Sequence, residues 1–73
     1  MKHLPERFNI LVIEDNPPDL FLIKKILWSS GLAITNIYSA DRVSVANTML
    51  KEQDINLVLL DLSLPDSFPD LQQ

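Results

Sequence analysis

The sequence predicts an α/β fold in which three strands alternate with two helices in the order β-α-β-α-β. Short and nearly continuous apolar runs, typical of strands covered on both faces, alternate with segments whose apolar residues recur at helical spacing. Proline and glycine lie between these segments, where turns and helix ends are expected. Because a helix follows each of the first two strands, we expect crossover connections and therefore parallel pairing of all three strands.

The first strand is predicted over residues 8–13, and it ends at Glu14-Asp15-Asn16. Pro17-Pro18-Asp19 then begins a helix, because proline fits the first turn and an acidic residue stabilises the positive end of the helix dipole. Gly31 suits the left-handed conformation that follows many helices. We expect the buried stripe of this helix to comprise Leu20, Ile23, Ile26 and Leu27. We also expect neighbouring elements to cover Phe21, Leu22 and Trp28, in preference to a partner surface.

The second half of the chain repeats this pattern. A strand is predicted over residues 33–38, and a turn at Ser39-Ala40-Asp41 follows, with Asp41 as the N-cap of the second helix. The buried side of that helix is predicted to carry Val43, Ala46 and Leu50. Residues 57–60, Leu-Val-Leu-Leu, predict a third strand of the fully buried kind, which ends at Asp61.

Composition excludes several classes of function. Six basic residues against ten acidic ones give a net charge of -4, which argues against a nucleic-acid surface. The chain has no cysteine, so disulfides and thiolate chemistry are excluded, and its one histidine, His3, makes a histidine-based metal site improbable. No apolar run approaches the roughly 20 residues that span a bilayer. We therefore expect a cytoplasmic protein without membrane or nucleic-acid partners.

Acidic residues follow the first and third predicted strands. Glu14 and Asp15 come after the first strand, and Asp61 comes directly after the third. Taken singly, each would be interpreted as a turn former or helix cap. If the two strands are neighbours, however, their carboxyl ends bring three carboxylates together, and a hard divalent cation such as Mg²⁺ would relieve the repulsion. The backbone carbonyl of Ser63 could reach the same ion, and a carboxylate can also act as a nucleophile toward a phosphoryl group.

The segments 10–16 (Ile-Leu-Val-Ile-Glu-Asp-Asn) and 57–66 (Leu-Val-Leu-Leu-Asp-Leu-Ser-Leu-Pro-Asp) resemble those of response-regulator receiver domains in two-component signalling. The resemblance implies a flavodoxin-like, doubly wound parallel sheet of order 2-1-3-4-5, truncated here to β-α-β-α-β. Residues 1–73 would then be an incomplete receiver domain with the first three strands and two helices. It implies a phosphoacceptor, not an enzyme: Asp61 accepts phosphate from a sensor histidine kinase or phosphotransfer protein. The implied Mg²⁺ ligands are Glu14, Asp15, Asp61 and the Ser63 carbonyl.

The chain departs from the receiver pattern in two respects. The hydroxyl residue of a fourth strand and the lysine of a fifth are absent, and Pro69 stands where the family usually has glycine. We therefore expect phosphorylation of this chain to be weak or absent.

Two other functions remain open on the sequence. The first is a module that is not phosphorylated and assembles through the exposed edge of the third strand, most simply with a second copy. A variant of this hypothesis is that a separate chain pairs with this edge and supplies the missing strands. The second is a hydrolase of another α/β family with an aspartate nucleophile. It ranks last, because such sites usually carry a second acid at the position of Ser63.

Overall fold

The computed structural model describes residues 7–61, in which three strands and two helices alternate along the chain. They are β1 (Asn9–Ile13), α1 (Pro17–Trp28), β2 (Asn36–Ala40), α2 (Val43–Glu52) and β3 (Leu57–Leu60). The strands form one sheet of order β2-β1-β3, and both pairings are parallel. The predicted α/β fold is thus confirmed, in an arrangement consistent with half of a flavodoxin-like sheet. Ser63 and Pro69 lie outside the described residues.

The central strand β1 forms the middle of the core. Ile10, Leu11 and Val12 are essentially inaccessible to solvent, because β1 has a strand on each side and a helix over each face. Leu11 and Ile13 pack on one face in a cluster that includes Ala46 of α2. Ile10 and Val12 face the other way, since side chains alternate along a strand. The crossover from β1 to β2 and the crossover from β2 to β3 run in opposite directions across the sheet, and because both are right-handed they place α1 and α2 on these opposite faces.

At the amino edge of the sheet, where all three strands begin, asparagine side chains form what we term the amide network. Asn9, buried at the start of β1, donates from Nδ2 to the carbonyl of Asp54 (2.7 Å) and accepts at Oδ1 from Asn36 Nδ2 (3.0 Å). The side chain of Asn56 accepts from the backbone N–H of Asn9 (2.8 Å). The network therefore ties β1 to β2 and to the segment that enters β3.

The helix termini agree with the sequence in one helix and not in the other. Asn16 is the N-cap of α1, and its Oδ1 accepts from the backbone N–H of Asp19 (3.2 Å). Gly31 has φ +86°, the left-handed conformation expected there. The predicted cap at Asp41 is wrong: Arg42 is the N-cap of α2, and its side chain makes no capping bond.

The predicted position of β2 is also shifted, because pairing with β1 sets the ends of this strand. Asn36 lies opposite Asn9 and Ala40 lies opposite Ile13, so Ser39 and Ala40 belong to the strand and not to a turn. Earlier in the predicted segment, Ile34 donates its N–H to the carbonyl of Leu32, a local bond that replaces pairing with β1.

Several apolar side chains that the sequence predicts to be buried are exposed. On α1, four apolar side chains are each more than half exposed, namely Phe21, Leu22, Ile26 and Trp28. The prediction that neighbouring elements cover Phe21, Leu22 and Trp28 is therefore wrong, and so is the predicted burial of Ile26. Leu50 of α2 and three residues of β3, namely Leu57, Val58 and Leu60, are about two fifths exposed, so the prediction of a fully buried third strand is wrong as well. Within residues 7–61 a three-stranded sheet is too narrow to cover these surfaces. Neither helix of this part of the chain is long and apolar enough to cross a membrane.

Candidate functional site

The carboxyl edge of the sheet, where the strands end, gathers the acids that follow β1 and β3. The Glu14 N–H donates to the carbonyl of Ala40 (2.9 Å), and the Asp61 N–H donates to the carbonyl of Ile13 (3.0 Å). These bonds continue the parallel pairing one step past the strands and fix the backbone at both positions. One carboxylate oxygen from each of Glu14, Asp15 and Asp61 lies within 4.8 Å of the others. We term these three residues the acidic cluster.

The members of the acidic cluster differ in burial. Glu14 is buried, with 7% of its surface exposed, whereas Asp61 is half-buried and Asp15 is exposed. The cluster is therefore anchored at Glu14 and open to solvent on the side of Asp15. A small molecule or ion can reach it from the solvent beyond the strand ends, which is where open α/β sheets bind their ligands.

Burial and neighbouring negative charges both act on the carboxylate of Glu14. Burial is the main factor that raises its pKa above the ordinary value of 4.5. A hydrogen bond from the backbone N–H of Asn16 to Glu14 Oε2 (3.3 Å) opposes this by stabilising the ionised carboxylate. The shared hydrogen bond with Asp61 and the charges of Asp61 and Asp19 raise the pKa of Glu14 further. The charged groups that shift the pKa of Glu14 are thus all negative, and a bound cation would favour its ionised form.

The acidic cluster fits a hard divalent cation. A donor set made only of oxygen atoms suits Mg²⁺, Ca²⁺ and Mn²⁺ and not the softer zinc or copper ions. Ligands on opposite sides of a small divalent ion, bound at about 2.1 Å, are about 4.2 Å apart. An upper spacing of 4.8 Å between the cluster oxygens is close to this value, so small side-chain movements or a bridging water would complete the coordination. The distances alone do not select one of these ions.

Two cavities flank Glu14. The larger, about 410 Å³, lies on the side of β2, and its charged lining consists of Glu14, Asp15 and Asp41. The smaller, about 150 Å³, lies on the side of β3 and is apolar apart from Glu14 and Asp61. The acidic cluster can therefore be approached over β2 through a cavity lined by three acids and over β3 through a smaller one lined by two.

Three features of this edge were not predicted from the sequence: Asp41 as a cavity residue, Arg42 beside it, and the backbone N–H of Asn16. Asp41 was interpreted only as a helix cap, yet it lines the larger cavity, and its Oδ1 lies 3.4 Å from Nε of Arg42. The signal was available, since Asp41 follows β2 as Glu14 follows β1. The third missed feature is the backbone N–H of Asn16, whose bond to Glu14 depends on the turn into α1. The Ser63 carbonyl, the fourth predicted ligand, lies outside the described residues.

Comparison of the chain with family models, curated proteins and solved structures found no match. The resemblance of segments 10–16 and 57–66 to receiver domains therefore stays a prediction from sequence. A functional hypothesis has to rest on those segments together with the geometry of the carboxyl edge.

Proposed function

We propose that this chain is a phosphoacceptor receiver domain of a two-component response regulator. In this proposal Asp61 takes the phosphoryl group, and Glu14, Asp15 and Asp61 bind Mg²⁺. The observation that carries the proposal is the convergence of three carboxylate oxygens within 4.8 Å at the ends of adjacent parallel strands. The Ser63 carbonyl is proposed as a fourth oxygen ligand. The phosphodonor is a phosphohistidine of a sensor histidine kinase or a phosphotransfer protein, and the location is cytoplasmic.

Each acid has a distinct role in this proposal, set by its burial. Glu14 is buried and held by the Asn16 N–H, so it anchors the metal site. Asp15 is exposed and supplies the ligand on the solvent-facing side of the site. Asp61 is half-buried, which leaves its carboxylate open to an incoming group. Mg²⁺, when bound, supplies positive charge that offsets the charge on the transferring phosphoryl group.

The proposed transfer forms one bond and breaks one. A carboxylate oxygen of Asp61 attacks the phosphorus atom in line with the leaving group and forms an O–P bond. The P–N bond to the imidazole of the donor breaks, and its electron pair stays on that nitrogen, which takes up a proton from solvent. The product is an aspartyl phosphate with more negative charge than the carboxylate it replaces. The positive charge available at the carboxyl edge therefore limits the reaction.

A small phosphodonor tests this proposal directly. We expect incubation with acetyl phosphate and Mg²⁺ to add one phosphoryl group, slowly, and a chelator to prevent it. The slow rate is expected because no lysine lies at the carboxyl edge within residues 7–61, and one preorganised charge donor is worth about 10²–10³ in rate. Asp61→Asn should abolish the modification. Asp54→Asn, which removes an exposed acid at the amino edge, should leave it unchanged. The readout is intact-protein mass spectrometry.

Equal modification of wild type and Asp61→Asn would show that Asp61 is not the acceptor. Absence of both modification and Mg²⁺ binding in the wild type would contradict the proposal as a whole. Rapid and complete phosphorylation would support the acceptor role but contradict the predicted weakness.

A second candidate function is assembly through β3 without phosphorylation. Three of the four residues of β3 are about two fifths exposed, and within residues 7–61 the strand pairs only with β1. A free edge of this kind is a template for pairing with another strand, most simply that of a second copy. Sedimentation and Mg²⁺ titration of the wild type and Asp61→Asn together separate the two candidates. An assembly module should associate to the same extent with and without Mg²⁺, and the Asp61→Asn variant should associate as the wild type does. The receiver proposal instead requires Mg²⁺ binding that depends on Asp61.

A further inference from the structure

The carboxyl edge repels the anion that the proposed function requires it to bind. The acidic cluster contributes three carboxylates, and Asp19 and Asp41 lie close enough to act on Glu14 or to line the same cavity. One bound divalent cation does not neutralise the three cluster carboxylates when all are ionised. A phosphodonor is itself an anion, so recruitment to this edge calls for a further positive charge.

The topology leaves one candidate for this charge among residues 7–61. Helices of a β-α-β unit run antiparallel to the strands, so the last turns of α1 and α2 lie toward the amino edge. Lys25 and Lys51 belong to those last turns, Lys24 comes just before Lys25, and Arg7 precedes β1. Arg42 comes two residues after the end of β2 and is the N-cap of α2, so it lies at the carboxyl edge.

Arg42 lies at the carboxyl edge and is held only by an exposed ion pair. Its Nε lies 3.4 Å from Oδ1 of Asp41, and both side chains are more than 60% exposed. An exposed ion pair between neighbouring residues is among the weakest in proteins, so a better anion can displace it. Asp41 lines the 410 Å³ cavity together with Glu14 and Asp15, so the residue that Arg42 contacts faces the same cavity as the acidic cluster.

We propose that Arg42 binds the phosphate oxygens of the incoming phosphodonor at the entrance to the acidic cluster. The guanidinium leaves Asp41 and donates two parallel N–H bonds to phosphate, the bidentate geometry for which arginine is suited. This inference rests on the proposed function, because it assigns Arg42 to the substrate of that site. It adds a substrate-binding residue from the β2–α2 connection to a site otherwise built from the residues that follow β1 and β3.

Inorganic phosphate is the probe that tests this contact without a covalent step. Phosphate is titrated into the Mg²⁺-loaded wild type, Arg42→Gln, Arg42→Lys and Lys51→Gln, and affinity is read from amide NMR shifts. Lys51→Gln is the matched control, since it removes one positive charge at the amino edge. We expect Arg42→Gln to weaken binding about tenfold, as loss of a charge-assisted pair does. Arg42→Lys should recover only part of this loss, because it keeps the charge without the planar fork.

A purely long-range role gives a different result. With strands about 4.8 Å apart, β2 and β3 are separated by about 10 Å, where Coulomb attraction changes affinity only about two- to fourfold. A change of that size that Arg42→Lys fully restores and that disappears in high salt would overturn the contact. Equal binding by Arg42→Gln and Lys51→Gln would also overturn it.

The failure of this inference is distinguishable from the failure of the proposed function. If the wild type is phosphorylated on Asp61 and Arg42→Gln binds phosphate normally, the receiver proposal stands and the role of Arg42 is wrong. If Arg42→Gln loses phosphate binding, but the wild type does not bind Mg²⁺ and Asp61 is never phosphorylated, Arg42 is a phosphate ligand and the receiver proposal is wrong. If the Mg²⁺-loaded wild type neither binds phosphate nor becomes phosphorylated, both are wrong.

Discussion

Buried polar side chains at the two edges of the same small sheet lie in opposite environments. At the amino edge, Asn9 is buried, and both ends of its amide are hydrogen-bonded, to Asn36 and to the carbonyl of Asp54. At the carboxyl edge, Glu14 is equally buried, but its neighbours include Asp61 and Asp19, which carry the same charge. The amide of Asn9 is satisfied on both sides by residues within 7–61, whereas the carboxylate of Glu14 lies among like charges.

This difference separates structure from function in the molecule. A buried amide with matched donors and acceptors stabilises the fold, because nothing is left unsatisfied. A buried carboxylate with a raised pKa destabilises the metal-free fold when it is ionised, and such groups concentrate at functional sites. The experiments below should therefore change stability at one edge and ligand binding at the other.

The largest effect is expected at the amide network. Asn9→Ala removes the shared amide and leaves the Asn36 side chain and the Asp54 carbonyl without their partner. We expect the free energy of unfolding to fall by about 2–3 kcal/mol. Asn47→Ala, at an exposed site on α2, should change it by no more than about 0.5 kcal/mol. Urea denaturation followed by circular dichroism measures both, and similar losses in the two variants would remove the contrast between the edges.

An intermediate effect is expected at Glu14. Glu14→Gln removes a metal ligand, so we expect Mg²⁺ affinity to fall at least about tenfold, or about 1.4 kcal/mol. Glu52→Gln, an exposed acid at the end of α2, is the control. Calorimetric titration of Mg²⁺ compares them, and unchanged affinity in Glu14→Gln would exclude this residue from the metal site.

Glu14→Gln should also flatten the pH dependence of the free energy of unfolding of the metal-free protein. Because the pKa of Glu14 is raised in the folded state, its contribution to stability is fully present below the ordinary value of 4.5. That contribution is lost as the pH rises through the raised value, so the free energy of unfolding falls over this range. Glu14→Gln lacks this slope, and Mg²⁺ should reduce it in the wild type by favouring the ionised form.

The smallest effect is expected at Asn36, which lies on the outer strand and is exposed. Asn36→Ala removes one hydrogen bond to Asn9, and the lost donor is replaced in part by water. We expect a loss of about 0.5–1 kcal/mol in the free energy of unfolding. A double-mutant cycle with Asn9→Ala should give a coupling of at least about 0.5 kcal/mol. A loss from Asn36→Ala as large as that from Asn9→Ala would mean that the network is not centred on β1.

Much of this architecture was predictable from the sequence. The apolar runs at residues 10–13 and 57–60 predict β1 and β3, and the prolines at 17 and 18 predict the start of α1, because these signals are local. The meeting of Glu14 with Asp61 was predictable once parallel pairing was assumed, since the carboxyl ends of adjacent parallel strands share an edge.

The remaining errors depend on pairing and coverage, which local signals do not carry. The ends of β2 follow from its register with β1, which extends the strand to Ala40 and leaves Asp41 unable to cap α2 as predicted. The exposure of Ile26 and Trp28 depends on how much sheet lies under α1, which helical periodicity does not report. The amide network did have a local signal: asparagine precedes an aliphatic residue at 9, 36 and 56.

The register of β3 has a consequence for Asp61, the proposed phosphoacceptor. Leu60 lies opposite Ile13, so the next residue along each strand places Asp61 opposite Glu14. A slip of a single residue would carry Asp61 about 3.3 Å along the strand and turn its side chain toward the other helix layer. Asn56 lies just before the start of β3 and is hydrogen-bonded to the backbone of Asn9 through both its side chain and its N–H. These two bonds hold β3 in register with β1. The chemistry at one margin of this protein is thus aligned by neutral amides at the other.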